Sequence, residues 1–212
     1  MRKLLICMML LVAVGAAAKG KKDDSKYLKG AVPEINGMVT FTKSFSIKDK
    51  SEEEVHQTML AFVNGLVEKS IEAPGKYARL MGDEAGDITA RICEWMTFVK
   101  KPFVLDRARF RYQIKVTTAG QRVSIAVSNI SYYYNEDMET NNGRIIKAED
   151  WITDSEALNK SQTKLYPISA KFRRKTVDRM EELFEAAMDA FENEEPQKVE
   201  PVKPVRKSVV EE

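Results

Sequence analysis

The side chains equipped for chemistry are few. His56 is the single histidine, so a serine or cysteine nucleophile activated by an imidazole would have to use it. Cys93 alternates with Arg91, Trp95 and Thr97, on the strand face away from Ile92. His56 follows Val55 in a helical pattern, so a Cys–His couple would have to meet across a sheet from opposite layers. The spacing disfavours that. One histidine and one cysteine make no zinc ligand set. The acidic stretch from Asn135-Glu136-Asp137 to Asn142 has oxygen ligands for calcium, but it lacks EF-hand spacing and reads as a solvated loop. Glu94 stands in phase with apolar neighbours. Buried, it would be a general-acid candidate; turned out by a bulge, or paired with an arginine, it would be structural. No metal and no cofactor is expected.

A surface is the stronger signal. Ala108, Phe110, Tyr112, Ile114 and Val116 alternate with Arg107, Arg109, Arg111, Gln113 and Lys115, the period of a strand with one buried face. Arg91 and Trp95 join the basic side from the preceding strand, and Arg122 and Ser124 from the following one. The ligand-binding candidates are therefore Arg91, Trp95, Arg107, Arg109, Arg111 and Lys115. Guanidinium groups around an aromatic plane suit an anionic or sugar-like ligand, through bidentate bonds and stacking. The competing explanation is solvation, since solvent-facing strand positions are polar and long arginine stems cover a sheet well. Arg173-Arg174-Lys175 opens the last helix, where the helix dipole opposes cations. Pairing with Glu149, Asp150 or Asp154 would account for it, and so would anion binding.

The elements that must position these residues follow from periodicity. Met38 to Ile47 reads as a strand. Ser51 and Glu54 form a capping box that opens a helix with core positions Val55, Met59, Phe62, Val63 and Leu66, ending near Ser70. Four strands should follow as two hairpins: Tyr77 to Gly82 with Asp87 to Val99, and Val104 to Thr117 with Arg122 to Tyr134. The last strand shifts phase at Ile130, which predicts a bulge. A polar loop spans Asn135 to Gly143, a short helix falls within Ala148 to Leu158, and a long helix runs from about Ser169 to Glu192. Strand, helix, four strands and helix make an α+β two-layer sandwich, an antiparallel sheet with its helices on one face.

The chain ends suggest a compartment. Arg2 and Lys3, an apolar run from Leu4 to Val14, and Ala16-Ala17-Ala18 are the parts of a secretory signal peptide cleaved after Ala18. The run is too short to span a bilayer comfortably, so no stable membrane span is expected after cleavage. The expected location is periplasmic or secreted. Cys7 would leave with the leader; the bulky Ile6 before it speaks against lipidation there. Cys93 then has no disulfide partner, and the fold must rest on its core. The 34 Lys+Arg exceed the 32 Asp+Glu by the two cations of the leader, so the mature chain is near neutral and no nucleic-acid partner is expected. The expected organisation is residues 1–18 as signal peptide, 19–35 as an extended lead-in whose stretch 19–29 has nothing to bury, 36–192 as the folded domain and 193–212 as a proline-rich disordered tail.

The order of elements is also that of the half-repeat of the TATA-binding protein fold. Several stretches carry a closer likeness: Lys26-Tyr27-Leu28-Lys29-Gly30-Ala31-Val32-Pro33, Glu94-Trp95, Val104-Leu105-Asp106-Arg107, Ala148-Glu149-Asp150-Trp151-Ile152-Thr153-Asp154, and Lys171-Phe172-Arg173-Arg174-Lys175-Thr176. On these the sequence resembles an uncharacterised exported family of Bacteroidota, domain of unknown function 4468, with a TBP-like fold. The resemblance implies the fold and the compartment, and supplies no activity or ligand. Two expectations stand. One is a non-catalytic envelope module binding an envelope protein or an anionic or sugar-like ligand through the basic sheet face. The other is an envelope hydrolase using Glu94 or Cys93.

Overall fold

The structure, a computed structural model, describes residues 23–71, 77–84, 86–134 and 143–192. Residues 1–22, with the expected leader, Ala18 and Cys7, lie outside these, as do the acidic loop 135–142 and the tail 193–212. No helix among the described residues is long and apolar enough to cross a membrane.

A 3-10 turn at Ser25–Tyr27 precedes a two-stranded hairpin of β1 (Glu34–Ile35) and β2 (Met38–Val39). Then come β3 (Phe41–Ser46), α1 (Glu52–Glu68), β4 (Arg79–Glu84), β5 (Asp87–Lys101), β6 (Val104–Ala119), β7 (Arg122–Tyr134), β8 (Arg144–Lys147), α2 (Asp154–Ala157) and α3 (Pro167–Asp189). The main sheet is antiparallel, in the order β3-β7-β6-β5-β4, with β8 also on β7. The outer edge of β7 is thus shared, β3 pairing with its first half and β8 with its last four residues.

One continuous core lies between the sheet and the two long helices. Ile88, Ala90, Ile92, Phe110, Tyr112, Ile114, Val116, Val123 and Ile125 meet Val55, Met59 and Val63 of α1 and Phe172, Val177, Met180 and Leu183 of α3. Both helices therefore cover the same sheet face, as the binary pattern predicts. Helix α1 begins as its sequence indicates: the Ser51 hydroxyl accepts from the Glu54 backbone N–H at 3.3 Å, and the Glu54 carboxylate accepts from the Ser51 N–H at 2.7 Å. The bulge in β7 falls at Asn129, whose φ is +52°, where the register against β6 slips.

Three details differ from the sequence reading. The strand expected from Met38 to Ile47 breaks at Thr40, because β2 turns back on β1 through Asn36 and Gly37, both at positive φ. Strand β8 falls between the expected polar loop and short helix, at residues 144–147, where no element was expected. It forms on the stretch of β7 edge that β3 is too short to cover, which would otherwise leave backbone donors unpaired. The lead-in, expected to be extended with nothing to bury over residues 19–29, is docked on α3 from residue 24 onward. Val32 is buried and packs in the core. The Tyr27 hydroxyl donates to Asp178 at 2.9 Å, and Lys26 bonds both Asp178 and Glu181.

Arg173 explains that docking. It is fully buried, and donates from Nε to the Tyr27 carbonyl, from Nη1 to the Ile152 carbonyl, and from Nη2 to the Leu28 carbonyl and the Asp154 carboxylate, at 2.6–2.7 Å. Arg174 grips Asp24 through two bonds of 2.7 Å. Helix α3 starts at Pro167, so Arg173, Arg174 and Lys175 do not open it as expected but begin at its seventh residue, and two of these three cations are internal fasteners. A planar guanidinium carries five N–H donors in a rigid fork and reaches four acceptors here, where the compact ammonium head of lysine has three donors.

Candidate functional site

The sheet face away from the helices carries the basic residues. Antiparallel register puts directly opposed residues on one face. The pairings Arg91 with Gln113, Cys93 with Arg111, Trp95 with Arg109, and Thr97 with Arg107 therefore set these side chains in adjacent rows. The rows continue across β7 and β8: Arg111 opposes Ser131, which opposes Lys147, and Arg109 opposes Tyr133, which opposes Ile145. All six residues singled out from the sequence share this face. Among the described residues of β3, β5, β6, β7 and β8, the only carboxylate at an open-face position is Asp87. It is already engaged by Lys115 at 2.8 Å and by the Thr117 hydroxyl at 2.6 Å. The Lys115 bond and the Thr117 bond hold its carboxyl below the usual carboxylate range.

Aromatic rings organise the guanidinium groups. Arg107 stacks on Trp95, its Cζ 3.5 Å from the ring centroid, and Arg109 lies 5.5 Å from the same ring. Tyr77 sits beneath Arg91 at 5.8 Å and Arg111 at 4.9 Å, and Tyr133 approaches Arg111 at 5.6 Å. Such contacts fix the planes of the guanidinium groups without neutralising their charge. Sequence reasoning missed Tyr77 and Tyr133. The first lies before β4, outside any alternation. The second reaches the open face only because the bulge at Asn129 reverses the phase of β7, a consequence that the phase shift at Ile130 already carried.

The other chemical candidates are placed elsewhere. Both ring nitrogens of His56 are hydrogen-bonded, Nδ1 with the Thr118 hydroxyl at 3.2 Å and Nε2 with Asp83 at 2.7 Å. This hydroxyl–imidazole–carboxylate chain has the order of a nucleophilic triad, yet Thr118 is only 4% exposed, and the chain fastens α1 to the β4 end of the sheet. Cys93 is fully buried on the open face, with its backbone paired to Ser70 and Ile71. Its thiol is not presented to a substrate.

Glu94 points into the helix layer and takes a bidentate ion pair with Arg179 at 2.6 and 3.1 Å. Of the readings weighed for this residue, the ion pair is the one observed. Burial opposes the Arg179 charge, but the bonds to Glu94 outweigh it and hold the guanidinium above its usual range. Burial, reinforced by the Glu94 charge, pushes the neighbouring Tyr112 phenol up. Beside this pair, a groove of 470 Å³ runs between β5 and α3, lined by Glu94, Trp95, Lys175, Asp178, Glu181 and Glu185 among others. Its sign is opposite to that of the sheet face. Among the described residues, no group of three or more His, Cys, Asp or Glu side chains is arranged to hold a metal.

Comparison with known proteins agrees with this architecture. Residues 41–133 match the family model described as a domain of unknown function (DUF4468) with TBP-like fold. The chain is similar to a DUF4468 family protein of known structure from Bacteroides ovatus, at 36% identity and a TM-score of 0.72, over 81% of this chain and 96% of that one. It also shares its fold with a TBP-like protein from Parabacteroides distasonis, at 22% identity and a TM-score of 0.61, over 78% of this chain and 99% of that one. No curated protein matches the chain.

Proposed function

This chain belongs to the DUF4468 family, whose fold is TBP-like, and we propose that it is a non-catalytic binding module of the cell envelope. Its open sheet face takes an anionic partner. The observation that carries this reading is the concentration of Arg91, Arg107, Arg109, Arg111 and Lys115 on one face, the arginines set against Trp95, Tyr77 and Tyr133, where Asp87 is the one open-face carboxylate among the described residues of β3 and β5 to β8. The guanidinium groups of Arg91 and Arg107, set against Tyr77 and Trp95, can present their outer N–H donors to a carboxylate, sulfate or phosphate. The envelope setting is supported by the leader-like residues 2–18. The non-catalytic reading is supported by the engagement of Glu94 by Arg179 and by the burial of Cys93. Nucleic acid does not enter the proposal, because a shared fold does not carry a shared function.

Retention on immobilised heparin, a sulfated polysaccharide, with immobilised polyglutamate as a second polyanion, tests the reading. The protein with Arg91→Gln, Arg107→Gln and Lys115→Gln combined should elute at clearly lower salt than the unaltered chain, with an unchanged melting temperature. Equal elution on both supports would refute an electrostatic role for this face. Stronger retention on heparin would point to a glycan, and on polyglutamate to an acidic peptide.

A further inference from the structure

We propose that the tip of the β5–β6 hairpin inserts into the interface of a lipid bilayer bearing anionic headgroups. The hairpin closes in two residues, Pro102 and Phe103, since Lys101 pairs directly with Val104. Phe103 has φ +63° and its side chain lies wholly in solvent, while Val104 and Leu105 beside it are more than half exposed. Proline fixes its own φ near −65°, so the pair has the sign pattern of a type II turn, whose second central position favours glycine. A bulky apolar residue there is strained as well as exposed. Neither folding nor solubility asks for it.

The surroundings select the occupant. Lys100 and Lys101 are exposed on the shoulder of the tip, and Arg107 follows on β6. The nearest carboxylate along β6, Asp106, is bonded to Lys171 and to the Tyr134 hydroxyl. More exposed apolar surface lies at the same end. Ile168, at the start of α3, is 70% exposed. It stands one turn before Lys171, which bonds Asp106 and lies 4.6 Å from the Phe98 ring. A convex point of three apolar side chains falls well short of the roughly 800 Å² per partner that a stable protein interface uses. A bilayer interface closes around such a point, and lysines at its base meet the phosphates.

Sedimentation with vesicles tests this, using phosphatidylglycerol and phosphatidylcholine in equal parts, and phosphatidylcholine alone. The intact protein should bind the anionic vesicles and bind less as salt rises. Phe103→Gly should bind them at least about tenfold more weakly, with an unchanged or higher melting temperature because glycine accepts the positive φ. Lys100→Gln with Lys101→Gln should weaken binding to the anionic vesicles by roughly fivefold per lysine and leave phosphatidylcholine binding unaltered. Undiminished binding by Phe103→Gly, or no binding of the intact protein to anionic vesicles, would overturn the proposal. So would a concentration-dependent dimer that Phe103→Gly abolishes, which would make a second copy the occupant.

Discussion

Replacing Arg173 with methionine should release the N-terminal lead-in and weaken the whole domain. The guanidinium reaches four acceptors on two segments: the carbonyls of Tyr27 and Leu28 on one, the carbonyl of Ile152 and the carboxylate of Asp154 on the other. Ile152 is fully buried, so water cannot replace its lost bond, and a stranded buried acceptor costs about 1–3 kcal/mol. The Asp154 side chain is 22% exposed, so its charge regains part of its solvation. The Tyr27 and Leu28 carbonyls are part-buried, and their losses are closer to about 0.5–1 kcal/mol each. Methionine recovers some apolar packing. The expected net loss is about 3–4 kcal/mol, near the range for breaking a buried charge pair from one side.

A domain of this size should lose roughly 2–4 °C of melting temperature per kcal/mol, so a fall of about 6–16 °C is expected by calorimetry. Amide exchange in residues 27–31 should accelerate beyond the global change, because these residues are held through Arg173. Adding Asp154→Asn should cost little more than Arg173→Met alone, since the orphaned carboxylate is then gone. Lysine at this position should recover less than half of the loss, for want of a planar fork. A change below about 1 kcal/mol, or unchanged exchange at residues 27–31, would refute the reasoning that one buried side chain fastens the lead-in.

The hydroxyls of Tyr132 and Thr176 lie 2.6 Å apart in the core. Thr176→Val should cost about 2 kcal/mol by stranding the buried phenol, and adding Tyr132→Phe should restore part of this in urea denaturation. Gly86 has φ +86°, and a Cβ there would meet the Thr118 carbonyl oxygen at 2.6 Å. Gly86→Ala should therefore destabilise by about 2–3 kcal/mol. Gly120→Ala, at φ +57° with open space around it, should cost only about 1 kcal/mol, and similar values for the two would contradict the steric argument. The backbone and hydroxyl bonds from Ser51 hold the Glu54 carboxyl below its ordinary value of 4.5. Its stabilising contribution is thus complete above that value and disappears as pH falls through the lower folded value. Glu54→Gln should flatten this acid limb of the stability curve, measured by urea titration from pH 6 to about pH 3.

What the sequence disclosed was whatever depends on local period. Ala108 to Val116 alternate cleanly, and β6 lies where they predict; Ser51 and Glu54 place the start of α1 to the residue. Asn36-Gly37 carried an equally local signal, since this dipeptide supplies two positive φ values for a tight hairpin. It was masked because Val39 and Phe41 remain in phase across the break at Thr40. Strand β8 could not be read from four residues; it exists through the free edge of β7, a fact of the assembled sheet. Arg173 is the clearest limit. Three of its four partners are backbone carbonyls, which leave no trace in side-chain type, so a cluster resembling an anion site conceals a structural fastener. The open face was legible as cations and illegible as a stack, because Tyr77 and Tyr133 join it through a loop and a bulge.

Solvation alone is a poor account of those cations. Threonine at positions 107, 109 and 111 would be equally soluble and a better strand former, and alternating lysine and glutamate would give favourable cross-strand pairs. Instead three arginines recur at alternate positions of one strand, about 7 Å apart by strand geometry, and Arg79 directly opposes Arg91. Like charges opposed in a sheet are destabilising. Stacking on Trp95 and Tyr77 offsets part of that repulsion without adding a counter-charge. The chain meanwhile spends its carboxylates elsewhere: Asp154 and Asp24 secure the lead-in, Glu94 secures α3, and Asp106 secures Lys171. Among the described residues of β3 and β5 to β8, Asp87 is the one carboxylate at an outer-face position, and a bound polyanion would relieve the repulsion that the opposed Arg79 and Arg91 keep on that face.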